Sequence, residues 1–327
     1  MSNIKELDLG PLHDYYEFEH AVSDFKASVI EGLSSPQKKL SSKYFYDVRG
    51  SELFDKITEL PEYYLTRTET DLLRFYADEF AELIGEGASL IEFGSGSSTK
   101  VRILLNALQS PSAYVPIDIS REYLIQSAKV LADSYPELPV VPISADYTSP
   151  IKLPFIPNES SRAGFFPGST IGNFTYEDAV KFLCTVAEDL GSGNGLLIGV
   201  DLKKDINILR AAYNDSAGIT AEFNLNILRH INRALGADID LNGFTHDALW
   251  NHEKGRIEMH LVSKCNQTVY FENFEFHFSE GESIHTENSH KYTIESFQSL
   301  AAEAGWEACR YWQDSNNLYS MHYLRVA

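Results

Sequence analysis

Cysteine is scarce. Cys184, Cys265 and Cys309 are odd in number, far apart and in no metal-ligand spacing, so neither a disulfide framework nor a thiolate metal site is expected. They read as reduced thiols of a cytoplasmic protein. Basic charge is also short: 27 Lys and Arg stand against 47 Asp and Glu, a formal net charge of -20, with no basic run anywhere. A nucleic-acid binder needs a positive field to displace counterions from phosphate, so nucleic acid is not an expected partner. No apolar stretch approaches the ~20 residues that span a bilayer, and the opening MSNIKELDLG lacks the apolar centre of a signal peptide; no membrane association is expected. Repeats and low-complexity linkers are absent. No long apolar stripe is left unassigned, which predicts a monomer.

What remains is an ordinary globular composition, 43% hydrophobic and 23% charged over 327 residues. That length suits two domains, or one with a large insertion. Residues 14–33 have the pattern of an amphipathic helix. A long helix is expected from Glu69 to about Leu83, with Leu72, Leu73, Tyr76, Phe80 and Leu83 at helical spacing. Strand and helix patterns then alternate. SLIEFGSGSS, AYVPIDIS, LPVVPISADY, AGFFPGSTIGNF and GLLIGVDL read as strands; VRILLNAL, REYLIQSAKVLADSY (Ser120 as N-cap) and AVKFLCTVAEDL (capped by Thr175–Asp178) read as helices. Such alternation predicts an α/β fold with a mostly parallel sheet covered on both faces. Residues 203–288 break the rhythm with two helices and extended segments. TIESFQSLAAEAG, CRYWQ and YSMHYLRV then close the chain as a helix and an antiparallel hairpin.

That ending is typical of a class I methyltransferase, a Rossmann-like fold. The expected organisation is a cofactor-binding domain from 63–202 and 289–327, and an α+β substrate domain or lid from 1–62 and 203–288. The stretch Ile91–Ser97 follows a strand and opens a helix. Its glycines let the backbone turn sharply beside a ligand, and a helix N-terminus offers free N–H groups. Asp118 ends the next strand, where a carboxylate can accept both hydroxyls of a ribose. Asp146 and Tyr147 end the third strand and suit an adenine, the acid at its amine and the ring on its face. A nicotinamide cofactor would call for a third glycine at position 99, which is Thr. Glu92 with the short Gly-Ser-Gly loop fits the amino-acid end of S-adenosylmethionine better.

Longer motifs carry a family resemblance. YFYDVRGSELFDKITELPEYYLTRTE (44–69), EFGSGSSTK (92–100), GSTIGNF (168–174), RAAYND (210–215), RIEMHL (256–261) and TENSHKY (286–292) resemble the histidine-specific Nα-methyltransferases of ergothioneine biosynthesis, from about residue 40 to the C-terminus. The resemblance implies three successive methyl transfers from S-adenosylmethionine to the α-amine of histidine, giving hercynine, with no metal. It implies Tyr46 and Asn173 at the amine as the catalytic pair, and Tyr213 at the carboxylate. Tyr63, Met259, Glu287 and Ser289 line the imidazole pocket. Gly94, Lys100, Asp118, Asp146, Tyr147 and Gly168 hold the cofactor.

These residue types suit the chemistry. Methyl transfer from a sulfonium to a neutral nitrogen mainly needs positioned, desolvated partners. Glu287 and Ser289 can bond the two imidazole nitrogens, which would reject phenylalanine or leucine. The chain departs from the family pattern at Leu65, where proline is expected, at Tyr147, where phenylalanine is common, and at His290, between Ser289 and Lys291. His277, His285 and His290 match no metal-ligand spacing and read as ordinary histidines. The alternatives are Nα-methylation of another amino acid such as tryptophan, and a non-catalytic binder of histidine or cofactor. A binder would release no S-adenosylhomocysteine.

Overall fold

The computed structural model describes residues 9–18, 22–96, 98–154, 156 and 160–327. Ser97, inside the glycine loop, lies outside them. Numbered along the chain, the strands are β1 (Tyr16–Glu17), β2 (Ser89–Phe93), β3 (Ala113–Asp118), β4 (Ile143–Ser144), β5 (Arg162–Phe166) and β6 (Gly195–Asp201). There follow β7 (Phe244–Asn251), β8 (Arg256–Ser263), β9 (Gln267–Phe271), β10 (Phe274–Phe278) and β11 (Ser283–His290), then β12 (Trp306–Gln313) and β13 (Tyr319–Val326).

The chain divides into two compact units. The first takes in residues 9–18, Leu65–Lys203 and Tyr292–Ala327; the second takes in 22–64 and Lys204–Lys291. Residues 9–18, assigned by the sequence to the substrate domain, fall in the first unit because β1 pairs in parallel with β4. Tyr63 and Ser289 fall in the second. Tyr63 packs edge-on against Tyr213, and Ser289 lies in β11 opposite Ile257 of β8.

The first unit is built on one sheet of order β1-β4-β3-β2-β5-β6-β13-β12. All pairings up to β6 are parallel, and β13 and β12 close the edge antiparallel. This is the α/β class expected, with its terminal hairpin. Every residue of β2 and of β6 is buried, as strands covered on both faces must be. The chain runs outward from β2 through β3 to β4, then returns to the other side of β2 at β5. That reversal opens a crevice at the carboxyl ends of the strands, where open α/β sheets bind ligands.

Local chemistry accounts for the differences from the sequence reading. The helix expected over 14–33 is Val22–Ser34, because the polar Asp14–Glu17 stretch goes to the sheet edge instead. The helix expected from Glu69 is two, Tyr64–Phe75 and Ala77–Ile84, broken at Tyr76, whose backbone leaves the helical region at ψ 16°. The third strand shrinks to Ile143–Ser144; Pro139 and Pro142, just before it, have no N–H for a ladder. Ser120 occupies an N-cap position without a side-chain cap bond, whereas the Thr175 hydroxyl accepts from Asp178 N at 3.2 Å.

The second unit packs helix Val48–Glu59 on helix Ile219–Leu235 and sets the latter against a sheet of order β11-β8-β7. β9 and β10 form a separate hairpin. β7 was not legible as a strand. Asp47 caps Val48–Glu59 through Gly50 N at 2.7 Å, and also accepts from Asn226 at 2.8 Å and Arg233 at 2.7 Å. Asn224 fastens the long helix to the sheet. Its amide bonds His246 Nδ1 at 2.8 Å and the His260 carbonyl at 3.1 Å, and its oxygen accepts from the Thr286 hydroxyl at 2.7 Å.

β11 carries a bulge. His285 pairs with His260, but Glu287 pairs with Met259, so Thr286 is the extra residue. His260 and Met259 are consecutive on β8 and face opposite sides. The bulge therefore sends His285 to one face of the sheet and Glu287, with Ser289, to the other.

Candidate functional site

Gly94 has φ +74°, open to glycine and strained for other residues; a Cβ there would rest on the Tyr147 ring at 3.5 Å. Tyr147 thus lies against the glycine loop. Gly96 N points at Asp118 Oδ2 at 3.4 Å, and Ser120 N donates to Oδ1 at 2.9 Å. Burial raises the Asp118 carboxyl above its ordinary pKa, opposed by these N–H donors. One Asp146 carboxylate oxygen holds Thr148 through its N–H at 3.0 Å and its hydroxyl at 2.5 Å. Gly168 and Asn173 follow β5; Asn173 ends a short 3-10 helix, Thr170–Asn173, and is half-buried. The structure thus collects Gly94, Asp118, Asp146, Tyr147, Gly168 and Asn173 at the carboxyl ends of β2 to β5. The Ser95 hydroxyl is buried in the loop and makes no hydrogen bond among the described residues. An orphaned donor, a ring over a glycine and a ribose-competent carboxylate fit S-adenosylmethionine.

Lys100 is engaged by a residue the sequence did not single out. Its ammonium sits 2.5 Å from Glu69 Oε2. Glu69 is fully buried and also accepts from Gly168 N at 2.9 Å and from the Tyr319 hydroxyl at 2.8 Å. A Cβ on Gly199 would collide with the same carboxylate, so that glycine makes room for it. Glu69 joins Lys100 on the helix after β2, Gly168 after β5 and Tyr319 on β13.

Glu92 has a different place from the one expected. Its carboxyl lies within the sheet, 2% exposed, and bonds the buried Tyr114 hydroxyl at 2.5 Å. Desolvation pushes it up to about 8, against the lowering effect of Tyr114 and Lys100. The sign follows from linkage: the folded chain keeps a proton that the unfolded chain releases above about pH 4.5. Glu92 therefore stabilises most below that pH, and its contribution is lost as pH rises through about 8. A Glu92→Gln protein is expected to melt several degrees above the wild type at pH 8.5 and to converge on it at pH 5. Parallel melting profiles would reject a protonated Glu92.

In the second unit, ring contacts run from Tyr46 to Phe54 (5.7 Å between centroids), Phe54 to Tyr63 (6.2 Å) and Tyr63 to Tyr213 (6.3 Å). Tyr46 follows the short helix Ser42–Phe45, and Tyr213 ends helix Ile206–Tyr213. The Tyr213 carbonyl is held by His246 Nε2 at 2.8 Å. Its hydroxyl meets Ser289 Oγ at 2.6 Å, and Lys291 donates to both, at 3.0 Å to Tyr213 and 2.7 Å to Ser289. The Lys291 ammonium also lies 4.7 Å from the Tyr213 ring centre. Glu287 stands opposite buried Met259 across β11 and β8, on the face Ser289 shares. Burial raises its carboxyl to about 7, with Lys291 pulling the other way. Tyr46, Tyr63 and Tyr213 are thus linked through Phe54, and Tyr213, Met259, Glu287 and Ser289 through the sheet and Lys291.

On the opposite face, His285 stacks on His260 at 4.8 Å, beside Glu258. Arg256 grips Glu258 Oε1 through two nitrogens, at 2.7 and 2.6 Å. Burial alone would raise the Glu258 carboxyl, but Arg256 brings it down to about 2. Desolvation and the neighbouring His260 lower His285 to about 4. With a guanidinium already seated on the carboxylate, this cluster is an ion-pair network of the sheet. His277 is exposed and bonds Thr268 at 3.0 Å.

A family described as "Histidine-specific methyltransferase, SAM-dependent" matches residues 25–326. A histidine N-alpha-methyltransferase of Mycolicibacterium smegmatis is 39% identical over 308 residues, covering 93% of this chain and 95% of its own. Ergothioneine biosynthesis protein 1 of Neurospora crassa is 34% identical over 88% of this chain and 33% of its own length. An L-tryptophan methyltransferase of Psilocybe serbica is 26% identical over 92% of both chains.

Proposed function

The chain belongs to the S-adenosylmethionine-dependent, histidine-specific methyltransferases, and from that premise we propose that it trimethylates the α-amine of L-histidine to hercynine, the first step of ergothioneine biosynthesis. The observation that carries the substrate choice is the pairing of Glu287 with Ser289 on one face of β11, beside Met259. Together they offer an acceptor and a hydroxyl to the two nitrogens of an imidazole. An indole has one donor and no acceptor, so it leaves Ser289 unmatched. The relative that methylates tryptophan keeps that amino acid as the second reading.

S-adenosylmethionine supplies an electrophilic methyl group. Gly94, Lys100, Asp118, Asp146, Tyr147 and Gly168 would hold it, with Asp118 at the ribose hydroxyls and Tyr147 and Asp146 at the adenine. Asn173 and Tyr46 would each offer an oxygen to the N–H groups of the α-amine and so aim its lone pair. Tyr213 takes the carboxylate, and Tyr63 and Met259 pack on the ring. No strong base is needed at the nitrogen, since its proton can leave between turnovers. The working form is proposed to be a cytoplasmic monomer without metal or nucleic acid; no described helix is long and apolar enough to cross a membrane.

The test is to incubate the purified protein with S-adenosylmethionine and single amino acids and to weigh the products. Trimethylated histidine is expected, with little product from tryptophan. Product from another amino acid alone would overturn the imidazole assignment and leave the methyltransferase class standing. Tight histidine binding with no S-adenosylhomocysteine released would point to a binder.

A further inference from the structure

Asn224 lies on the buried face of helix Ile219–Leu235, with no exposed surface. A buried amide has to find partners for both its ends. Its Nδ2 stands 3.1 Å from the His260 carbonyl and 2.8 Å from His246 Nδ1, and its Oδ1 2.7 Å from the Thr286 hydroxyl. A carbonyl only accepts, so the edge facing His260 is the NH2 group and the amide has one orientation. Its second N–H goes to His246 Nδ1, which must accept and carries no proton. The other ring nitrogen, Nε2, stands 2.8 Å from the Tyr213 carbonyl. That oxygen also only accepts, so Nε2 holds the proton and His246 is neutral. Burial, the largest influence on the ring, lowers its pKa, opposed by the Tyr213 carbonyl, Asp247 and Asp215 and helped by His260, in agreement with a neutral ring. Tyr213 is the last residue of helix Ile206–Tyr213, and the final carbonyls of a helix have no partner within it. The His246 Nε2–H supplies one. On the far side of the amide, the Thr286 hydroxyl lies 2.7 Å from Asn224 Oδ1 and 3.0 Å from the Met259 carbonyl; whichever takes its proton, the amide keeps its orientation. Thr286 is the extra residue of the β11 bulge.

We propose that Asn224 and His246 are positioning residues of the substrate site, and that this one amide holds both ends of it. Through His246 it fixes the helix end that carries Tyr213, the residue for the substrate carboxylate. Through Thr286 it fixes the bulge that turns Glu287 to the imidazole face. Both residues act through others and not on the reacting nitrogen. A carboxylate is common to all amino acids and an imidazole is not, so the two arms differ in effect. The His246 arm governs affinity for any amino acid; the Thr286 arm governs the choice among them. This role rests on the histidine reading above.

The experiment compares wild type, His246→Gln, His246→Asn, His246→Phe and Thr286→Val of the full chain, with histidine and tryptophan as substrates at saturating S-adenosylmethionine. Glutamine can set an N–H where Nε2–H stood; asparagine reaches only the Nδ1 position, and phenylalanine offers no donor. His246→Asn and His246→Phe are expected to raise KM about 10-fold for both amino acids with kcat within about 3-fold, since a ground-state contact is loosened. His246→Gln stays within about 3-fold of wild type in KM. Thr286→Val, nearly the same shape, narrows the preference for histidine over tryptophan about 5-fold. Nitrogen NMR of the histidine-labelled wild type, with the His246 signals assigned by their loss in His246→Gln, is expected to show a neutral ring protonated on Nε2, with no substrate present. Affinity for S-adenosylhomocysteine, read by calorimetry, stays at the wild-type value and shows that the variants are folded. A merely structural His246 would lower the melting temperature in all three variants and leave KM alone; that result, a loss in His246→Gln equal to that in His246→Phe, or a proton on Nδ1 overturns the His246 arm. An unchanged preference in Thr286→Val overturns the other. A wild type active on histidine with unaltered variants overturns the positioning role alone. A wild type that neither binds nor methylates histidine overturns the function reading and the positioning role with it.

Discussion

A Glu69→Ala protein is expected to melt about 10 °C below the wild type and to lose most of its affinity for S-adenosylhomocysteine. The carboxylate is the shared acceptor for Lys100, the Gly168 N–H and the Tyr319 hydroxyl. Removing it leaves three donors around a hole, one of them charged. Breaking a buried pair costs ~3–5 kcal/mol. Lys100 keeps an edge in solvent, at 20% exposure, which argues for the lower end. For a unit of this size each kcal/mol moves the midpoint by about 2–4 °C. The ligand effect has its own cause: Lys100 and Gly168 belong to the proposed cofactor site, and Glu69 fixes both. Differential scanning calorimetry with and without S-adenosylhomocysteine reads the two effects together. A midpoint within about 2 °C of wild type would show that the surrounding donors find water or one another, and that Glu69 is no hub.

The second large effect falls on specificity. Glu287→Ala is expected to lower kcat/KM for histidine about 100-fold, the loss of one hydrogen bond to a charged group. Tryptophan should lose less, because the larger indole gains room as it gives up its one bond to Glu287. The histidine preference therefore narrows or reverses, while the S-adenosylhomocysteine affinity is kept. Met259 remains opposite the vacancy and gives the larger indole an apolar wall. Competition between the two amino acids in one reaction, with products weighed, measures the ratio directly. Equal losses on both substrates would place Glu287 in general folding of the pocket and not in recognition of the imidazole.

Much of the first unit could be read from residue patterns alone. Strand-helix alternation is a periodic signal, and β2, β3, β5 and β6 are mostly apolar runs of the length a buried strand needs. What escaped was chemistry hidden within those patterns. Glu69 and Glu92 are acids at buried positions, and a linear sequence does not say whether an acid on a helix or strand turns inward. Glu69 is spaced four residues after Leu65 and three before Leu72, on the apolar stripe of its helix, and that was the available clue. Lys291 follows an alternating strand, where a charge ordinarily meets solvent, yet it is 3% exposed and bonds Tyr213 at the end of helix Ile206–Tyr213. β7 was obscured because its burial alternates irregularly, with His246 and Asp247 in its middle. In the second unit the long family motifs, and not periodicity, singled out Tyr46, Tyr63, Tyr213 and Glu287. Tyr213 and Ser289 were assigned to opposite ends of the substrate, yet their hydroxyls touch.

The bulge at Thr286 decides how this strand can change length. In an unbulged ladder Thr286 would stand opposite Met259 and Glu287 opposite Glu258, setting two carboxylates face to face. The single extra residue moves the phase of everything after it by half a pleat. Deleting Thr286 would therefore leave a regular ladder in which Glu287 follows His285 directly and still stands opposite Met259. Ironing out the bulge at the present length would instead turn Glu287 toward the Arg256 network and empty the opposite face of its acceptor. The strand can lose that one residue and keep its pocket, but it cannot keep the residue and lose the bulge.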